Sequence, residues 1–74
     1  MLSLRCSALA GSYGLTPRER EILELLARGR SKTHIAEAFL ISENTVRGHV
    51  KHIYAKLDVH GKQELVDKLE SVEV

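Results

Sequence analysis

The sequence predicts an all-α domain made of four short helices. Three features of its 74 residues indicate this class. Apolar residues recur every three or four positions in successive segments, Ser, Thr and Pro stand where helices would begin, and no segment alternates apolar with polar residues as a strand does. A chain of this length forms one small domain, near the lower limit for folding on a hydrophobic core alone.

Residues 1–14 are expected to be a linker or a disordered lead-in, because small residues dominate and no apolar period is sustained. The folded domain would then cover residues 15–74. The chain's single cysteine, Cys6, lies in the lead-in and fits an inert thiol in a reducing cytoplasm. Arg5 interrupts the opening apolar run, which is too short for a secretion signal, and no run reaches the roughly 18 to 20 apolar residues of a membrane span.

The first predicted helix covers residues 17–28. Thr16 is suited to the N-cap, Pro17 to the first helical position, and Glu19 completes a capping box with Thr16. Gly29 provides the stop. The apolar stripe of this helix consists of Ile22, Leu25 and Leu26.

The second and third predicted helices lie close together in the sequence. Ser31 can cap a helix over residues 32–39, and Ser42 can cap the next, over residues 43–57. A turn of only three or four residues between two helices is the helix-turn-helix layout, here about residues 31–50 and without a wing.

The third helix has two different faces. Its apolar residues lie within a narrow arc at 100° per residue, and the opposite side is polar, cationic and small. Such a face suits the DNA major groove, since Arg and Lys can donate to guanine, Asn can read adenine, and Gly or Ala permits close approach. The alternative is an ordinary solvent-exposed helix face. The apolar set is Val46, Val50, Ile53 and Leu57, and the opposite set is Asn44, Arg47, Gly48, Lys51 and Ala55.

The charge distribution favours a polyanionic partner. The net charge is only +1, but residues 28–56 carry six basic and two acidic side chains, whereas residues 57–74 carry two basic and five acidic ones. One surface is therefore expected to meet nucleic acid while another does not.

The fourth predicted helix covers about residues 62–72, after a turn at residues 58–61. Its apolar groups Leu65, Val66, Leu69 and Val72 either form a dimer seam or cover the base of the core. The predicted core consists of Leu15, Ile22, Leu25, Leu26, Ile35, Ala36, Phe39, Leu40, Ile41, Val46, Val50, Ile53, Leu57, Val59, Leu65 and Leu69.

Four blocks of the sequence resemble one known family. They are L-T-P-R-E-R-E-I-L-E-L-L-A-R-G (15–29), I-A (35–36), I-S-E-N-T-V-R-G-H-V (41–50) and K-L-D-V (56–59). In this order and spacing they resemble the LuxR/GerE-type DNA-binding domain, the C-terminal domain of LuxR-family transcriptional regulators and of many response regulators. The resemblance covers about residues 15–66. It implies four helices, a third helix that reads the major groove and a fourth that often makes the dimer contact; the C-terminal domains of sigma factors look similar at this level.

The resemblance also implies which residues contact DNA. The base-reading positions fall on Arg47, Gly48 and Lys51, and the helix geometry adds Asn44. The family's DNA-backbone positions fall on Ser42, Thr45 and Lys56, and His52 is a candidate phosphate donor. Lys32-Thr33-His34 stands where the family usually has Asn-Lys-Glu, so either Lys32 or Thr33 would contact phosphate.

We therefore expect sequence-specific binding of double-stranded DNA by a cytoplasmic bacterial transcription regulator, as a homodimer on two half-sites, with RNA polymerase a further candidate partner. The alternative is a protein-interaction module that docks a polymerase subunit or a sensory domain. No enzyme activity, cofactor or small-molecule ligand is expected. No metal site is expected either, because His49 and His52 have no carboxylate or cysteine at matching spacing.

Overall fold

Residues 2–72 of the computed structural model form five helices joined by short turns. They are α1 (Leu2–Tyr13), α2 (Pro17–Ala27), α3 (Lys32–Phe39), α4 (Glu43–Leu57) and α5 (Lys62–Glu70). No strand occurs within residues 2–72, so the predicted all-α class is confirmed. The predicted number of four helices is wrong by one. Met1 and residues 73–74, and with them the predicted end of the domain at residue 74, lie outside the described residues.

The additional helix is α1, and it corrects the prediction of a linker or disordered lead-in. Cys6, Leu9 and Ala10 are buried, and they are spaced i, i+3 and i+4 as on one face of a helix. This face packs on α2 and α5. The segment is helical because this conformation removes the apolar surface of Cys6, Leu9 and Ala10 from water against the domain.

Arg5 connects α1 to the C-terminal end of α5 through hydrogen bonds. Its Nη1 donates hydrogen bonds to the carbonyl oxygens of Leu69, Glu70 and Val72 at 3.0 to 3.1 Å. The last carbonyls of a helix have no partner within the helix, so a cation that donates to them both satisfies and neutralises the C-terminal end of α5.

The core lies where the five helices meet. Most predicted core residues are buried, and Leu23, which is not among the predicted core residues, is buried as well. Leu15, Leu25, Phe39 and Ile41 pack against the core but remain partly exposed. The buried hydrophobic residues are Cys6, Leu9, Ala10, Ile22, Leu23, Leu26, Ile35, Ala36, Val46, Val50, Ile53, Leu57, Val59, Leu65 and Leu69.

The helix starts follow the cap residues that the sequence offers. Thr16 and Glu19 form the predicted capping box, with Thr16 N donating to Glu19 Oε1 at 2.9 Å and Glu19 N to Thr16 Oγ1 at 3.2 Å. Ser31 and Ser42 accept hydrogen bonds from the backbone three residues on, at 3.1 Å each. Satisfying these free N–H groups fixes where α2, α3 and α4 begin.

Leu40 was predicted in the core, and the structure corrects this. It caps the C-terminus of α3 in the left-handed conformation, with φ 56°, and is 92% exposed. The reversal at Leu40 brings Ile41 N to within 3.0 Å of Ala36 O, which closes the turn of the helix-turn-helix. The turn thus requires a conformation that directs this side chain into solvent.

Replacing Leu40 with glycine is expected to raise the free energy of unfolding by about 1 kcal/mol. The left-handed conformation costs an L-residue roughly 1–2 kcal/mol, and glycine avoids this cost but loses some of the gain to its more flexible unfolded chain. Urea denaturation would measure the change. Leu40→Ala is the matched control, because alanine keeps the strain and should leave stability nearly unaltered; a glycine variant no more stable than the alanine variant would contradict the interpretation.

Among the helices of residues 2–72, none has the length and hydrophobicity that a membrane-spanning helix requires.

Candidate nucleic-acid interface

The predicted recognition helix, residues 43–57, coincides with α4. Its buried residues are Val46, Val50, Ile53 and Leu57, the four that the helical spacing predicts. This apolar stripe packs on α3 and α2, which fixes the rotation of α4 about its own axis. The opposite side of the helix therefore points away from the domain.

The side chains on that opposite side are available to a partner. Asn44, Arg47 and Lys51 are exposed and Gly48 is partly exposed. A Cβ added to Gly48 would meet no atom within 4 Å, so no internal contact requires glycine at this position. These four residues, which we call the α4 outer face, form a continuous polar and cationic surface with minimal bulk at its centre.

Arg47 and Asn44 are joined by a hydrogen bond within the α4 outer face. Arg47 Nη1 donates to Asn44 Oδ1 at 3.0 Å, one turn nearer the start of the helix. The acceptor is a neutral amide, so the guanidinium keeps its full charge. The pair therefore restricts the arginine without neutralising it.

The predicted DNA-backbone residues occupy several exposed positions. Ser42 and Thr45 lie at the start of α4, where their hydroxyl oxygens are 2.9 Å apart. Lys32 and Thr33 are exposed in the first turn of α3, and His52 is exposed on α4. The first turns of α3 and α4 thus present polar groups beside helix N-termini, which attract anions.

Lys56, which was predicted to contact DNA phosphate, instead contacts residues of its own domain. Its Nζ donates to Glu19 Oε1 at 2.8 Å and to the Gly14 carbonyl oxygen at 3.3 Å. Lys56 therefore joins the last turn of α4 to the start of α2. Because its ammonium is engaged within the domain, Lys56 is less available to DNA phosphate than the other predicted backbone residues.

Glu19 is the buried charged residue in this connection, and it is 4% exposed. Burial by itself would raise the pKa of its carboxyl group, but hydrogen bonds from Lys56 and from the Thr16 backbone outweigh this and hold the pKa below its usual value. The sequence predicted Glu19 as a cap residue, but its pairing with Lys56, 37 positions away, has no local sequence signal.

The four residues of the predicted dimer seam divide into two pairs. Leu65 and Leu69 are buried within the domain, where α1 packs on α5. Val66 and Val72 remain partly exposed. Leu65 and Leu69 therefore belong to the core, which confirms their predicted core position and corrects the alternative that places them in a dimer seam, and a partner could contact only the two valines of this set.

Residues 2–72 give little support for a metal site or a reactive thiol. Within this range no three His, Cys, Asp or Glu side chains are grouped as metal ligands. Cys6 lies in the core rather than in a lead-in, and burial raises the pKa of its thiol, which favours the protonated, unreactive form.

Comparison with known proteins identifies the family. The family described as "Bacterial regulatory proteins, luxR family" matches residues 13–69. The spore germination protein GerE of Bacillus subtilis is 44% identical over 55 residues, which are 74% of this chain and 74% of GerE. No solved structure matches the chain.

Longer proteins resemble the chain over part of their length. The nitrate/nitrite response regulator NarL of Escherichia coli is 46% identical over 50 residues, 68% of this chain and 23% of NarL. A putative HTH-type transcriptional regulator of Mycobacterium tuberculosis is 41% identical over 58 residues, 78% of this chain but only 7% of that protein. The matched residues contain α2 to α4 and nearly all of α5, including the whole helix-turn-helix. The chain therefore belongs to the luxR family of bacterial regulatory proteins, a family of DNA-binding helix-turn-helix transcription regulators.

Proposed function

We propose that this domain binds specific double-stranded DNA with α4 in the major groove. The observation that carries the proposal is the α4 outer face, which lies opposite the buried stripe and is free of internal packing. Arg47 and Lys51 would donate to base edges, Gly48 would let the helix approach closely, and Asn44 lies beside them.

Backbone contacts would come from the start of each helix of the helix-turn-helix. Ser42 and Thr45 at the start of α4 and Lys32 or Thr33 at the start of α3 are exposed, as is His52. Contacts of this kind fix the register of a protein on the duplex, whereas base contacts select the sequence.

We propose further that two copies bind two half-sites and meet along α5. Val66 and Val72 supply the partly exposed apolar groups that such a contact would cover. As a transcription regulator the domain would act in the cytoplasm, and RNA polymerase would be its next partner there.

Replacing Arg47 with alanine is expected to weaken binding to the preferred duplex by roughly 1 to 3 kcal/mol and to relax the base preference at one position. Replacing Lys51 should also weaken binding, with a shallower salt dependence if the lysine contacts phosphate. The preferred sequence would first be selected from a random duplex pool with the parent domain, and affinities would then be measured by fluorescence anisotropy on duplexes with one and two half-sites.

Lys62→Ala is the charge-matched control, since Lys62 is an exposed lysine on α5 rather than α4. On the duplex with one half-site, where no dimer contact along α5 is involved, it should change binding much less than either α4 variant. Equal affinities of the parent, Arg47→Ala and Lys51→Ala for the selected duplex at low salt would overturn the proposal for α4. Identical affinity per half-site on both duplexes would instead argue against cooperative dimer binding.

A further inference from the structure

We propose that Asn44 is a positioning residue that sets the base preference of Arg47, rather than a reader of adenine. The inference rests on the proposed entry of α4 into the major groove. Its structural basis is the hydrogen bond from Arg47 Nη1 to Asn44 Oδ1, 3.0 Å long, on the α4 outer face.

The direction of the Asn44 amide argues against direct readout of a base. An asparagine that reads adenine presents both ends of its amide to the base, with Oδ1 accepting from N6 and Nδ2 donating to N7. In this structure Oδ1 is directed at the Arg47 guanidinium instead. Adenine recognition by Asn44 would require this hydrogen bond to be broken or rearranged.

The same hydrogen bond suits Arg47 to guanine. A guanidinium has five N–H donors in a rigid fork, so engaging one of them leaves others available for guanine O6 and N7. An exposed arginine otherwise samples many rotamers, and binding must restrict them. The hydrogen bond to Asn44 already restricts the Arg47 side chain in part before DNA is bound.

The neutral amide distinguishes this pair from the ion pair of Arg28 and Glu24. Arg28 Nη2 donates to the carboxylate of Glu24 at 3.1 Å, an ion pair that offsets the charge of the arginine. Arg47 is oriented by an uncharged oxygen and so remains fully attractive to DNA. Orientation and positive charge are thus combined at one position of the α4 outer face.

This role predicts that losing Asn44 reduces specificity more than affinity. Without the hydrogen bond, Arg47 could contact either the guanine edge or a neighbouring phosphate. Contacts to phosphate retain binding energy but carry no sequence information. Base preference at the position read by Arg47 should therefore weaken while binding to unrelated duplexes is almost unchanged.

A double-mutant cycle tests this. The parent, Asn44→Ala, Arg47→Ala and the double variant would be titrated with the duplex selected by the parent and with duplexes carrying each other base pair at every position. We expect Asn44→Ala to reduce the guanine preference at the Arg47 position by about 3- to 10-fold, and to have no further effect once Arg47 is alanine. An equal effect of Asn44→Ala in both backgrounds, or an altered preference at a separate position, would show that Asn44 reads a base itself and would overturn the proposal.

Two further variants separate orientation from general effects. Asn44→Asp keeps an acceptor for Arg47 but adds a negative charge, so it should preserve the base preference while lowering overall affinity. Gln63→Ala removes an amide from α5 that also makes an exposed hydrogen bond, to Asp67 at 2.9 Å, and should alter neither quantity. Loss of the preference in Asn44→Asp as in Asn44→Ala would contradict an orienting role.

A measurement without DNA keeps this inference distinct from the proposed function. The ¹⁵N order parameter of Arg47 Nε in the free domain should fall in Asn44→Ala and stay close to the parent value in Gln63→Ala. An unchanged order parameter in Asn44→Ala would overturn the inference whatever the DNA results. A parent domain without any duplex preference would instead refute the proposed function, and the positioning role with it.

Discussion

Replacing Leu9 with alanine is expected to lower the free energy of unfolding by about 2 to 5 kcal/mol, the range for truncating a buried leucine. Leu9 lies on the inner face of α1, is 4% exposed, and belongs to the same core as the stripe of α4. A domain of this size has a small total stability, of the order of 5 kcal/mol. The variant should therefore be partly unfolded at 37 °C, and urea denaturation at 15 °C followed by circular dichroism would measure the loss.

Leu4→Ala is the matched control for this variant. It makes the same substitution in the same helix, so the change in helix propensity is the same, but Leu4 is 56% exposed. The control should lose well under half as much stability as Leu9→Ala. Losses of a few tenths of a kcal/mol in both variants would mean that α1 does not pack on the domain. That result would favour the disordered lead-in that the sequence predicted.

The course of the chain from α2 to α4 could be predicted because its signals are local. Thr16, Ser31 and Ser42 each bind a backbone N–H only three residues away, so the start of a helix is encoded within a few positions. The rotation of α4 is likewise encoded in the spacing of its four buried residues. A face of the recognition helix is therefore predictable before any tertiary contact is known.

The structure of α1 was harder to predict because its signal is short. Cys6, Leu9 and Ala10 do have helical spacing, but two of the three are small, and the surrounding Gly and Ser residues are typical of linkers. The helix is stabilised by contacts with α2 and α5, which are distant in sequence. The family match gives no help here, since it begins at residue 13.

Two other features depend on the tertiary structure. The exposure of Leu40 follows from the left-handed turn that closes α3, whereas its apolar side chain favours a core position. Leu65 and Leu69 have the spacing of a helix stripe, but spacing alone does not reveal whether a stripe faces the domain's own core or a second copy. In this structure, the stripe is buried against α1 and the rest of the core.

Replacing Glu19 with alanine is expected to cost about 2 to 3 kcal/mol at neutral pH. The change removes the acceptor of the Thr16 N–H, a hydrogen bond worth about 0.5–1.5 kcal/mol, and also the acceptor of Lys56 Nζ, 2.8 Å away, whereas the backbone N–H of residue 19 can still donate to Thr16 Oγ1. The cost stays below that of breaking a fully buried ion pair because the Lys56 side chain is 37% exposed and can regain water. Glu21→Ala, at an exposed position of the same helix, should change stability by less than about 0.5 kcal/mol.

Lowering the pH should reduce the stability of the parent protein through protonation of Glu19. Because the pKa of Glu19 is lowered in the folded state, its contribution is fully present above the unfolded-state value of about 4.3 and is lost as the pH falls through the lowered folded-state pKa. Glu19→Gln keeps an acceptor for the Thr16 N–H but has no carboxyl group to titrate, so it should be less stable than the parent at pH 7 and converge with it as the pH falls from 5 to 3. Urea midpoints measured across this range would test the prediction. A constant difference between the two proteins from pH 7 to pH 3 would mean that the charge of Glu19 contributes nothing to stability. Lys56 would then be free to contact DNA phosphate, as the family resemblance implies.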